Sequence, residues 1–166
     1  MGSRRLARER AVQFLFQCDL NPPENLEDAL DRFWDSQRAS VIAEDKGPAT
    51  WGQKTETAPL TAEEASLRAF TDGLIRGTLS HRAQLDAEIE KHAKNWGLHR
   101  MAVVDRNVLR LAVFEMYHRD DIPPVVSINE AVDIAKKYST EDSGRFVNGV
   151  LDKVRSELMR PSRIVK

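Results

Sequence analysis

At 166 residues, the chain has the length of one domain, enough to bury roughly two thirds of the surface its unfolded form exposes. Hydrophobic residues make up 41% and charged residues 31%, which excludes collagen-like, mucin-like and wholly disordered classes, and no apolar run approaches a membrane span. With 25 Lys and Arg against 26 Asp and Glu, the formal net charge is -1, so any attraction for a polyanion must be local.

Periodicity predicts seven helices and no alternating strand bounded by hairpin signals, so the fold class is all-α. The first helix runs from about Arg4 to Leu20, with Ala11, Phe14, Leu15 and Cys18 on its apolar side, and Asn21-Pro22-Pro23 stops it. Arg4, Arg5, Arg8 and Arg10 crowd its opening turns. A helix N-terminus favours carboxylates, so these arginines need another reason to be there. A second helix, about Asn25 to Gln37, spaces Leu26, Ala29, Leu30, Phe33 and Trp34 by three and four. Residues 38–59 hold two Gly, two Pro and no clear period, and are expected to be a mobile insertion in an otherwise single helical domain, with Trp51 as an anchor.

Thr61 and Glu64 form a capping box that opens the third helix, whose stripe is Leu67, Phe70, Leu74 and Thr78 and whose Gly73 and Gly77 form a strip for close packing. The fourth helix, about His81 to Trp96, ends at Gly97, read as a left-handed cap. The segment from Ala102 to Arg119 is the most apolar and should be central. Its charges Asp105, Arg106, Arg110 and Glu115 must be paired or must face a partner. Ser127 to Glu130 reads as a second capping box, opening a helix through Tyr138. A last helix follows Ser139-Thr140-Glu141-Asp142 and carries Phe146, Val150, Val154 and Leu158.

No catalytic inventory emerges, because the chain has no glycine-rich phosphate loop, no Gly-x-Ser-x-Gly elbow and no His-Glu-x-x-His pair. No cofactor or metal is expected. The single Cys18 makes no internal disulfide and lies on an apolar stripe, the four histidines are scattered, and a reducing cytoplasm suits such a chain. Two basic excesses remain. One is the opening helix. The other is residues 136–166, with eight basic against four acidic side chains. Packed together, the two ends would make one basic face with Phe146 as a base-stacking platform, although Phe146 fits the core stripe equally well.

Three segments resemble the NusB transcription antitermination factors: Arg4 through Gln13, Val104 through Ala112 with Glu115, and Ile128 through Val132 with Phe146 through Lys153. The resemblance implies two small packed helical bundles and no catalysis. It further implies binding to the boxA element of ribosomal RNA leader transcripts, with the small-subunit ribosomal protein NusE, in the elongating RNA polymerase complex. By the same resemblance, Arg4, Arg5, Arg8 and Gln13, together with Asp142, Ser143, Arg145 and Phe146, are the RNA-contacting residues. Phe16, Asp105, Arg106 and Arg110 would face NusE. Leu6 stands where some members carry a basic residue, and Phe16 where a tyrosine is common. Some members dimerise through the RNA-facing surface, and the alternative is a helical protein-binding scaffold or homodimer that binds no RNA, its arginines committed to internal pairs or to dimer contacts.

Overall fold

The computed structural model describes residues 2–46, 60–93 and 97–158, with side chains described from residue 4 onward and not over 40–46. Its helices are α1 (Gly2–Leu20), α2 (Leu26–Lys46), α3 (Ala62–Ser80), α4 (Arg82–His92), α5 (Val103–His118), α6 (Pro124–Tyr138) and α7 (Glu141–Leu158), with a 3-10 turn at Leu98–Arg100. No strand occurs among the described residues.

α5 is the axis of the molecule, as its composition requires: Val108 through Met116 are all buried. It packs against α1 and α3 on one side and against α4, α6 and α7 on the other. The N-terminal and C-terminal bundles therefore share one helix and one continuous core. α2 is fastened by an edge-to-face stack of Phe33 on Phe14, and by the Trp34 indole N–H, which donates to Asp72 at 2.8 Å.

Four expectations need correction. α2 continues to Lys46, well into the segment read as an insertion, because no helix breaker precedes Gly47-Pro48; residues 47–59, Trp51 included, lie outside the described residues. α6 begins one turn earlier than its supposed capping box, with Pro124 pre-set for the first helical turn. Ser127 is consequently buried inside the helix, where its hydroxyl donates to Glu115 rather than capping. Gly97 has an extended backbone (φ -71°, ψ 153°) and precedes the 3-10 turn, while α4 stops at His92 with Ala93 as its cap. Thr61 does cap α3: its Oγ1 accepts the Glu64 N–H at 3.1 Å, and its hydroxyl donates to the Glu64 carboxylate at 3.3 Å.

The two glycines of α3 differ. A β-carbon on Gly77 would fall on the Phe114 ring, whereas one on Gly73 would meet nothing within 4 Å. Gly77→Ala should therefore destabilise the fold by about 1–3 kcal/mol through overpacking. Gly73→Ala should be neutral or stabilising by up to about 1 kcal/mol, as helix propensity dictates. Urea unfolding of the two variants checks the opposite signs.

Candidate nucleic-acid interface

The arginines of α1 fan out instead of sharing one face. Arg8 points inward and is buried, donating through Nε and Nη2 to the two oxygens of Glu115 at 2.8 and 2.9 Å. Ser127 Oγ adds a third donor to Glu115 at 2.8 Å. Arg5 leans to α6, where it pairs with Glu130 and, at 2.9 Å, with Asp133. Its hydrogen bonds hold the Glu130 carboxyl below the usual carboxylate range, against the opposing effect of burial. Arg4 turns the other way and sets its guanidinium 4.2 Å from the centroid of the Phe70 ring on α3. Arg10 reaches Gln13 at 3.3 Å. Carboxylates on α5 and α6 thus supply what the macrodipole of α1 withholds from its basic opening turns.

The second candidate segment is the start of α7. Thr140 Oγ1 accepts the Ser143 N–H at 3.0 Å, which makes Thr140 the N-terminal cap. Asp142 and Arg145 are exposed and paired with one another. Ser143 is buried, its hydroxyl donating to Asp105 Oδ2 at 3.0 Å, and Phe146 is half-buried against the core. The structure does not bring this segment beside the opening of α1. α7 packs on α6, α5 and α4, and the exposed face of α6 lies between the two candidates. From Asp133 beside Arg5 to Ser139 before α7 is six helical steps, about 9 Å. Lys136 and Lys137 occupy that interval, Lys137 donating to Glu9 at 3.1 Å.

The residues expected to face NusE fall into two groups. Arg110 is buried and donates to Asp86 at 2.7 Å and to Asp19 at 3.0 Å; Arg106 donates to Asp19 at 2.6 Å. Both charges are neutralised within the chain, so a partner protein is not what accounts for them. Asp105 is different: buried, it has one oxygen on Ser143 and the other, Oδ1, without a hydrogen-bond partner. Burial pushes its carboxyl up, and the Ser143 hydroxyl only partly offsets this. Phe16, half-buried, lines an open groove of about 460 Å³ with Val12, Gln13, Val104 and Tyr138.

Sequence reasoning missed Asp19, Asp86 and the use of Phe70. Asp19 had one signal, an acidic residue in the last turn of α1, where the macrodipole disfavours it. Among the described residues, one group of metal-ligand type, Glu88, His92 and Glu157, places its donor atoms within 4.8 Å of one another. These donors are engaged among themselves and with Lys91, whose ammonium takes Glu157 at 2.6 Å. Nor is any described helix long and apolar enough to cross a membrane.

Residues 5–156 match the NusB family model. The chain belongs to the NusB family. A relative from Anaeromyxobacter dehalogenans named Transcription antitermination protein NusB is 48% identical over 159 residues, spanning 95% of this chain and 94% of that protein. The solved NusB of T. maritima superimposes with a TM-score of 0.69 at 33% identity, covering 93% of this chain and 91% of that one. A solved complex of the antitermination factors NusB and NusE with double-stranded RNA matches at TM-score 0.67 and 28% identity, over 95% of this chain and 98% of that one. Asp142 through Phe146 and the opening of α1 both fall within or border the matched span, so this NusB-family chain carries both candidate segments on the family's helical frame.

Proposed function

We propose that this protein is a transcription antitermination factor that binds boxA-type RNA of ribosomal RNA leader transcripts together with NusE and joins the RNA polymerase elongation complex. The observation that carries the reading is the likeness, over nearly the whole chain, to a NusB solved with NusE and RNA. It acts by binding and not by catalysis, and it works in the cytoplasm. Arg5, Gln13, Asp142, Arg145 and Phe146 meet the RNA along a path that crosses α6, and Arg4 meets it on the opposite side of α1. Arg8 and Ser143 position that surface from beneath, since both are buried. Phe16 and Asp105 meet NusE, with Asp105 held in place from within by the Ser143 hydroxyl. Arg106 and Arg110 stiffen this face through Asp19.

The test is fluorescence anisotropy of a labelled boxA RNA across a salt series. Engaging three or four phosphates gives a logarithmic slope of roughly -2 to -3. The double variant Arg4→Gln/Arg145→Gln should flatten that slope by about 1.4 and weaken binding about tenfold, because two phosphate contacts are lost. A scaffold reading, favoured by the internal pairing of Arg5 and Arg8, requires instead that wild-type protein bind no RNA at any salt concentration.

A further inference from the structure

Phe70 packs against the core and is also the meeting point of three arginines. Its half-buried ring is approached by three guanidinium groups: Arg4 at 4.2 Å, Arg119 at 5.2 Å and Arg8 at 5.9 Å. Arg8 is locked to Glu115, and Arg119 is held by both oxygens of Asp121 at 3.0 Å. Arg4 is exposed and makes no ion pair among the described residues. A guanidinium on an aromatic ring is held in place while its other face stays open, and its weak hydration makes that face easy to cover. Beside it lies an open groove of about 460 Å³ between α1 and the first turns of α3, lined by Ala7, Glu63, Ser66 and Leu67 with Arg4 and Phe70. That volume is in the range that holds small planar ligands.

We propose that this groove is a pocket for one unstacked RNA base, stacked on the Arg4–Phe70 platform with its edge turned to Glu63 and Ser66. The inference rests on the RNA-binding reading and extends it to a site on the side of α1 away from α6 and α7. Unpaired bases stack on arginine planes and aromatic rings irrespective of identity. Selection comes from the rim. Glu63 is an acceptor, and a carboxylate at a base edge favours an exocyclic amino group, so cytosine or adenine is accepted over uracil. Positions 63, 66, 67 and 70 of α3 share one face by their spacing, which is why platform and rim converge.

The test uses the full chain with two labelled twelve-nucleotide RNAs, one of mixed cytosine and adenine and one of uracil alone, read by anisotropy. Ser66 is exposed, so Ser66→Glu puts a charge into the groove without disturbing the core. It should weaken the mixed RNA at least tenfold. Phe70→Leu should weaken it about tenfold, and Glu63→Gln should reduce the preference over uracil about threefold or more. Ser80→Glu, an equally simple change about 21 Å along α3, should alter affinity less than twofold. Wild-type binding of RNA that Ser66→Glu and Phe70→Leu leave unchanged would overturn the pocket and spare the RNA-binding reading. A preference over uracil unchanged in Glu63→Gln would overturn the base-edge assignment, and a wild-type chain that binds neither RNA would overturn the pocket while leaving the boxA reading to its own titration.

Discussion

Glu115→Ala should lower the free energy of unfolding by about 3–5 kcal/mol, the usual cost of removing one partner from a buried ion pair. Glu115 is 1% exposed and receives Arg8 at 2.8 and 2.9 Å and Ser127 at 2.8 Å. Truncation leaves the Arg8 guanidinium buried beside an apolar cavity, with Glu130 at 3.3 Å as its remaining acceptor. The double variant Arg8→Met/Glu115→Leu should recover most of the loss, because two apolar side chains of similar volume leave no uncompensated charge. Urea unfolding, followed by helix ellipticity, measures both. A loss below about 1 kcal/mol for Glu115→Ala would show that the buried pair contributes little to the fold.

Asp19→Ala should cost about 3 kcal/mol for the same reason at the other end of α1. Asp19 accepts from Arg106, Asn107 and Arg110 at 2.6, 2.9 and 3.0 Å. Burial raises its carboxyl, but the hydrogen bonds from Arg106 and Asn107 and the charges of Arg110 and Arg106 outweigh burial and hold it at about 2. A carboxyl depressed on folding stabilises above its unfolded value, here 3.8, and that stability is lost as pH falls through the folded value. Wild-type protein should therefore lose about 2 kcal/mol from this group between pH 4 and pH 2. Asp19→Asn, less stable at neutral pH, should show a flatter decline over that window in thermal unfolding.

The two nodes have one physical logic. α1 carries arginine near its N-terminus and aspartate near its C-terminus, and α5 carries Arg106 and Arg110 early and Glu115 late. Each helix opposes its own macrodipole, yet across their antiparallel contact the charges match, Arg8 on Glu115 and Asp19 on Arg106 and Arg110. A parallel arrangement would bring like charges together. The pairs therefore select helix direction as well as stabilising it.

The seven helices and the central place of α5 were legible because apolar spacing carries both. Local boundaries were less so. The expected opening of α6 at Ser127 gave way to one a turn earlier, because Pro124 suits the first turn of a helix. Ser127-x-x-Glu130 has the form of a capping box, but both side chains are spent on long-range partners, Glu115 and Arg5. The wrong sign of the α1 arginines was visible, and its cause was not, because Glu115 and Glu130 stand more than a hundred residues away. A long separation in sequence also concealed Phe70, which fits a core stripe and also carries Arg4.

The measurement that bears most directly on the function is the affinity of this protein for boxA RNA and for a scrambled RNA of equal length, each with and without NusE, at one physiological salt concentration. Binding that favours boxA and tightens when NusE is added is the predicted result, because NusE brings a second RNA-contacting surface to the same strand. Equal affinity for both RNAs, unmoved by NusE, would contradict the adaptor role and leave a helical scaffold whose arginines serve the fold alone.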